Sequence, residues 1–522
     1  MITASKQSPE DIHSLKKMIV ELQRTIETQA ADIQVKDTKI QWLIEQFQLA
    51  RHQRFGRRSE SHPEQGDLFN EVEQLDDEPA AAEEDERPTE KTASPRKKPR
   101  RKPLPKDLPR ETLVHDLSEA DKNCDCCGGN LHCIGEDSSE KLEFIPAQVK
   151  VIEHIRPKYG CRQCEKEQTQ VGIKIAPVPP SPIPKSIATP SLLSQIITSK
   201  YQYALPLYRQ EGLFKQYGIE LSRKTMSSWM IRCATLLTPL YDRLIEIQLQ
   251  QPVIHADETP VKVIREEKTQ CYMWVYCTGT DLPPHDKSPP DHDVIRRIVI
   301  YEYQKSRASV CPKNYLQGFK GYLQVDGYVG YEKVDATLVG CMAHARRKFM
   351  DVKKAQPKQK TGKADKAIAT LQKLYRIEND IKTNTATEKY RIRQERALPL
   401  LNDFKIWLDQ SVLQVPPKTL LGKAIGYTIR QWHKLTRYLD DGRLNIDNNR
   451  AERAIKPFVI GRKNWMFSYT ANGANASAIL YSLIETAKAN GIIPFDYFNW
   501  LLNELPKHPK NLDALLPWKW DS

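Results

Sequence analysis

Apolar side chains recur every seven residues near the start of the chain. Ile12, Ile19, Ile26, Ile33, Ile40 and Phe47 form one register, and Leu15, Leu22 and Leu43 form the companion register, which Gln29 and Lys36 interrupt. Residues 8–50 contain no glycine and no proline after Pro9. An unbroken a-type row with leucine at most d-type places predicts a coiled-coil helix that pairs with a second copy of the chain. One long amphipathic helix packed on its own domain is the alternative. The stretch RHQRFGRRSE (51–60) gathers four arginines around an aromatic and a glycine, so the predicted helix of 8–60 ends in a basic junction suited to phosphate contact or to solvent.

The periodicity then stops. Within 61–110, EVEQLDDEPAAAEEDERP is acidic, and RKKPRRKPLPK is basic and proline-rich. Block charges and prolines cannot bury a core, which predicts a disordered linker. Its basic half could hold DNA nonspecifically, and its acidic half could fold back on it. In 111–180, KLEFIPAQVKVIEHIRPKYG alternates as strands do and lies between two CxxC pairs, Cys124/Cys127 and Cys161/Cys164. Four thiolates so spaced are what tetrahedral zinc takes, and a domain this small has little core without a metal. The expectation is a zinc ribbon, with Cys126, Cys133 and His132 as spare ligands and six free thiols as the alternative.

After the proline-rich VPPSPIPKSIATP, residues 187–250 carry helical spacing. GIELSRKTMSSWMIRCA has the form of the second half of a helix-turn-helix: Gly218 at the turn, Ser222 as N-cap, then Lys224, Thr225, Ser227 and Ser228 on a helix that could enter a groove. Plain helical packing accounts for the same residues.

From 251 the period changes to two. QPVIHADETPVKVI, CYMWVYCTGT and RRIVIYEYQKSR predict three strands, and GYLQVDGYVGY (321–331) a fourth after the short helical stretch CPKNYLQGF. Asp257 and Asp326 interrupt two of these apolar runs. Buried acids are rare unless paired or bound to metal. Two strand-borne acids with a third on a helix suit a two-metal phosphoryl-transfer site, and magnesium accepts such oxygen ligands. Glu452 is the candidate third acid, a single glutamate within DNNRAERAIKPFVIGRKNW, flanked by Arg450 and Arg453 and followed by Lys456, Arg462 and Lys463. Asn449 and Glu452 also have the spacing of a capping box, and Glu452 with Lys456 that of a helical ion pair.

Charge favours a polyanionic partner: Lys+Arg 79 against Asp+Glu 66 gives net +13 over 522 residues. No apolar run is long enough for a membrane span and the N-terminus has no secretory core, so an intracellular protein is expected, and its eleven cysteines point to metal or free thiols rather than disulfides.

HADETPVK, VDGYVGY, CMAHARRKF and DNNRAERAIKPFVIGRKNWMF, in that order, resemble the transposases of the insertion-sequence-66 family, and GANASAILYSLIETAKANGIIPFDYFNWLL is similar to that family's C-terminal segment. The CxxC pairs and the N-terminal zipper match as well. The resemblance implies a multidomain α+β protein: a coiled-coil helix, a zinc ribbon, a helical DNA-binding segment, an RNase H-like α/β catalytic domain at 251–470 with a helical insertion at about 350–440, and a C-terminal helical segment at 471–518. It implies a DDE recombinase whose acids are Asp257, Asp326 and Glu452, holding two Mg2+ ions, with Zn2+ on Cys124, Cys127, Cys161 and Cys164. Glu452 follows Asp326 by 126 positions, and residues 346–373 carry ten Lys/Arg against two Asp. Arg450, Arg453, Lys456, Arg462 and Lys463 would hold flanking phosphates, and His344, Arg346 and Arg347 would contact the scissile phosphate or nearby DNA. Trp465 packs or stacks on a base. The expected activity is cutting the ends of a mobile element and joining them to target DNA, in the bacterial cytoplasm at the nucleoid. Expected partners are double-stranded DNA, a second copy of the chain and small accessory proteins of the same element. A non-catalytic DNA-binding regulator and a metal-dependent nuclease on the same fold are the rivals.

Overall fold

A computed structural model describes residues 12–55, 149–159, 174–279, 295–355 and 362–520. The chain divides into two compact units, one of Met1–Leu75 with Pro177–Ser522 and one of Asp76–Ala176. Zinc-candidate cysteines Cys124, Cys127, Cys161 and Cys164, the spare ligands and the charged linker lie outside the described residues. In the smaller unit, Lys158–Tyr159 pairs antiparallel with Lys174–Ile175. The expected strand run is shorter than its alternation suggests: residues 149–157 are exposed and lack regular structure. Alternation makes a strand only where a neighbour completes the ladder.

In the larger unit, helix α1 (Ile12–Phe55) is one continuous element of 44 residues. Ile19, Ile26, Ile33 and Ile40 along its seam are each more than half exposed, and the helix as a whole also meets the helix Met342–Ala355 of its own unit. Helices α2 (Pro190–Tyr201), α3 (Leu207–Gln216) and α4 (Arg223–Leu249) follow. Between α3 and α4, Gly218 takes φ +75°, which a side chain would resist. Ser222 then caps α4 by accepting from the Thr225 N–H. On α4, Met226, Trp229, Met230 and Cys233 are buried, while Lys224, Ser227 and Ser228 remain exposed. The turn and cap are those expected, and the rest of this long helix is a core element.

A mixed sheet comes next, built from β1 (Val253–Lys262), β2 (Gln270–Cys277), β3 (Val299–Gln304), β4 (Tyr322–Gln324) and β5 (Thr337–Val339). The spatial order is β3-β2-β1-β4-β5. β1, β2 and β3 are antiparallel neighbours, whereas β4 runs parallel to both β1 and β5. The strand expected over 321–331 stops at Gln324. Asp326 accepts the Tyr328 N–H at 2.8 Å, and that turn leads into a 3-10 turn at Val329–Lys333.

Helix α5 (Met342–Ala355) opens the helical insertion, which continues through α6 (Lys363–Asp380), α7 (Leu398–Val412) and α8 (Leu420–Arg430). The chain returns through residues 431–448 to α9 (Asn449–Trp465), then α10 (Ala471–Ala489) and α11 (Pro494–Glu504). α10 protects the outer edge of β3. Its Thr486 hydroxyl accepts from the Val299 N–H and donates to the Val299 carbonyl, both at 3.0 Å, and Ser482 accepts from the Tyr301 N–H at 2.7 Å. An unpaired strand edge is thereby satisfied by side chains.

Among the described residues two hydrophobic cores result. The first joins α2, α4, α9, α10 and α11 to the sheet, and the second holds α5 through α8. Alternation along β1 and β5 serves both: Ile254 and Leu338 enter the first core, Val253 and Val339 the second. Arg393, at a π-helical turn in the insertion, is fully buried and uses all five of its N–H donors. It donates to both oxygens of Glu378 at 2.9 and 2.6 Å, and to the carbonyls of Tyr438, Asp441 and Leu444 at 2.8, 3.0 and 2.9 Å. This fastens the return segment to the insertion just before α9.

Candidate active site

The parallel ladder of β1 and β4 ends on the pair His255–Gln324. Asp257 lies two residues beyond this pair on β1, and Asp326 two residues beyond it on the other side. The shared offset aims the two acids at one place. Burial raises the Asp257 carboxyl well above its ordinary value, and the charges of Glu258, Asp326 and Glu452 push it the same way. All three candidate acids therefore share one electrostatic neighbourhood.

Glu452 stands in the first turn of α9, and the preceding loop is stitched to the sheet. The Asn448 side chain donates to the Ala256 carbonyl at 2.9 Å and lies 3.2 Å from His255 Nδ1, and its backbone N–H reaches Cys341 Sγ at 3.2 Å. Gln324 donates to the carbonyls of Asn445 and Asp447 at 2.6 and 2.9 Å. Asp447 accepts from the backbone and side chain of Asn449 at 3.1 and 2.9 Å. The capping box is not formed: α9 begins at Asn449, its cap is Asn448, and the Asn449 amide is engaged with Asp447. Glu452 is thus free of that duty. One of its oxygens lies 3.7 Å from His344 Nδ1 and the other 3.6 Å from Arg347 Nη2. Oε1 is buried without a hydrogen bond. Burial raises the Glu452 carboxyl, Arg347 opposes this, and Asp447 and Asp326 add to it. Burial and Arg347 lower the His344 imidazole to about 4, so it is neutral at pH 7.

Glu258, next to Asp257 on β1, is near enough for its charge to act on Asp257 and for that of Asp326 to act on it. Its carboxylate is held by Arg307, at 2.6 Å from Nε, and by the Tyr331 hydroxyl at 2.6 Å. His255 is a buried strand residue against Asn448.

The basic candidates divide. Arg346 is 4 % exposed, on the inner face of α5 with Met342 and Phe349, which takes it out of the expected DNA-facing set. His344 and Arg347 face Glu452 from the same helix. Arg462 uses Nη1 on the strand, donating to Thr259 Oγ1 at 2.8 Å and to the Pro260 carbonyl. Arg453 and Lys463 are exposed on α9, and Arg450 and Lys456 are half-buried. Trp465 packs edge-on against Phe458 at 5.4 Å. Sequence reasoning missed Asn448 as the tie to β1 and Cys341 beneath it. The CxxH spacing of Cys341 and His344 was the available signal for the latter.

A family model for the transposase IS66 family matches residues 185–476, more than half of the chain. The chain belongs to the IS66 transposase family. Three further models agree: the zinc-finger binding domain of transposase IS66 at 121–165, the transposase C of IS166 homeodomain at 42–113, and the IS66 C-terminal element at 482–518. The zinc-finger match contains all four CxxC cysteines, and the homeodomain match runs from α1 through the region expected to be linker. The uncharacterized protein y4jD of Sinorhizobium fredii is 35% identical, the alignment covering 76% of this chain and 78% of that protein. Another from the same organism, y4hP, is 32% identical over 86% of this chain and 83% of its own length. Among the described residues no helix is long and apolar enough to cross a membrane.

The acids fit the divalent ions that such a family implies. The charge of Asp326 helps to raise both Asp257 and Glu452, and one buried oxygen of Glu452 lacks a donor; together they are a donor set for a hard cation.

Proposed function

We propose that this IS66-family transposase is a DDE enzyme that cleaves the ends of its insertion sequence and joins them to target DNA. The observation that carries the proposal is the equal offset of Asp257 and Asp326 beyond the β1–β4 ladder, with Glu452 brought alongside by the Asn448 stitch. The sheet order, with two antiparallel and two parallel pairings, supports an RNase H-like domain. Asp257, Asp326 and Glu452 would hold two magnesium ions, which when bound activate an attacking oxygen and stabilise a leaving one.

The residues of the chain do the rest. Arg347 holds Glu452 in place, with His344 beside it. Arg453 and Lys463, exposed on the same helix, take phosphates flanking the reacting one, and the exposed start of α4 supplies a groove-reading face. Water attacks the phosphorus at the element end, losing its proton to solvent, and the 3′ oxygen leaves as a hydroxyl; that 3′ hydroxyl then attacks a target phosphodiester and displaces the target strand's own 3′ oxygen, which takes up a proton. Pairing of two ends uses α1, whose apolar seam is open to a second copy of the chain. Zinc on the four cysteines of 121–165 shapes the end-recognition module. Accessory proteins of the same element complete the assembly.

The test is cleavage and strand transfer on end-containing DNA with Mg2+. Asp257→Asn, Asp326→Asn and Glu452→Gln each lower both steps by at least a hundredfold while DNA binding is retained. Cleavage that persists in Asp326→Asn overturns the assignment. Cutting without joining by the parent identifies a nuclease.

A further inference from the structure

The thiol of Cys341, an imidazole nitrogen of His344 and a carboxylate oxygen of Glu452 all lie within 4.8 Å of one another. Cys341 precedes α5, and His344 sits three residues on, on the same side of its first turn. Glu452 faces them from α9. Two observations set this group apart from ordinary packing. His344 Nδ1 and Glu452 Oε1 are both buried and without a hydrogen-bond partner, although they are 3.7 Å apart. Arg347 occupies the other oxygen of Glu452, leaving Oε1 toward Cys341 and His344. Buried polar atoms lacking partners are uncommon, and two that face the same thiol call for an occupant.

Sulfur, imidazole nitrogen and carboxylate oxygen together are the wrong donors for magnesium, which takes oxygen. They suit a borderline ion such as zinc, whose bonds of about 2.3 Å to sulfur and 2.0–2.2 Å to nitrogen and oxygen set ligands roughly 3.3–3.8 Å apart around a tetrahedron. The His344–Glu452 separation already has that value. The thiol keeps its backbone anchor, since it accepts the Asn448 N–H at 3.2 Å. Three protein ligands leave a fourth position open.

We infer that Cys341, His344 and Glu452 form a separate site for a zinc-like ion, and that such an ion competes with the magnesium pair for Glu452. The competition rests on the transposase reading above; the site itself does not. A zinc ion here draws Glu452 toward α5 and away from Asp257 and Asp326, which makes the enzyme sensitive to soft divalent metals.

The experiment titrates the full chain, stripped of metal, with Co2+, following stoichiometry and the near-ultraviolet band of thiolate-to-metal charge transfer. The parent takes one more Co2+ per chain than Cys341→Ser, and the difference spectrum carries that band. His344→Gln loses the same ion, and Glu452→Gln binds it at least tenfold more weakly. Thermal unfolding shows that each variant is folded. If folded Cys341→Ser and His344→Gln bind as many ions as the parent with unchanged spectra, the site is overturned. If the extra ion depends on Cys341 yet Glu452→Gln binds it equally well, the shared ligand is overturned. In a second arm, micromolar Zn2+ added to Mg2+ lowers cleavage by the parent at least tenfold. The corresponding ratio in Cys341→Ser stays near one, and equal ratios overturn the competition. Absence of cleavage in every form, with the Cys341-dependent ion still present, overturns the transposase chemistry and supports the site.

Discussion

Arg393 gives the sharpest quantitative test of how the insertion serves the site. Its guanidinium is 2 % exposed, its partner Glu378 is 15 % exposed, and three of its five bonds go to carbonyls of the segment that leads into α9. Arg393→Leu leaves Glu378 as a buried unpaired charge and three carbonyls without a donor. Breaking a buried pair from one side costs about 3–5 kcal/mol. The loss falls on residues 438–444, so a global melting curve is the wrong instrument for a chain with two cores. Hydrogen exchange of the amides in 438–448 reads it directly, and at 1.4 kcal/mol per tenfold the opening of this segment rises roughly a hundredfold or more. Arg393→Lys behaves almost as badly, because an ammonium cannot reproduce the fork and the carbonyl contacts together. Arg393→Leu combined with Glu378→Leu recovers part of the loss, since no buried charge is then left over. A change below tenfold in Arg393→Leu, with Glu378 intact, refutes the reasoning.

Two other expectations are independent of the acids. Burial pushes the Glu302 carboxyl up from 4.5 to about 7, with Gln304 opposing. A raised value in the fold means that its contribution is fully present below about pH 4.5 and is lost as pH rises through 7, a cost on the order of 3 kcal/mol. Glu302→Gln therefore raises the thermal midpoint by several degrees at pH 8 and leaves it unchanged at pH 4.5, and superimposable pH profiles count against this. Ile26 is 63% exposed on the α1 seam. On the pairing proposed through α1, the parent sediments as an oligomer and Ile26→Asp as a monomer with unaltered circular dichroism of the rest, and equal masses argue against pairing through α1.

Local chemistry was readable wherever a residue's duty is to its near neighbours. The period-two runs gave β1, β2 and β3, Gly218 and Ser222 gave the turn and cap before α4, and the heptads gave the single helix α1. The acids Asp257 and Asp326 stood out because charge interrupts an apolar strand. Errors arose where a distant partner decides. The spacing of Asn449 and Glu452 fits a capping box, but Asp447 takes the Asn449 amide first. Arg346 lies in a basic run, yet helical geometry turns it inward beside Phe349. The bonds of Arg462 to Thr259 and Pro260, some 200 residues earlier, are announced by nothing in its own neighbourhood. The bond of Asn448 to Ala256 depends on a strand that no local pattern connects to it.

The edge of β3 is finished by Ser482 and Thr486, and the first core is closed by Phe498 and Leu501. Glu452 itself follows Asp257 by 195 residues. At a synthesis rate of roughly 5–20 residues per second, the first acid exists for about 10–40 s before the last one is made. Even then, the strand edge lies bare until α10 has left the ribosome. On the catalytic assignment proposed above, a growing or truncated chain carries the first acids without Glu452 or a finished sheet, so translation itself sets an interval before the DNA around it can be cut.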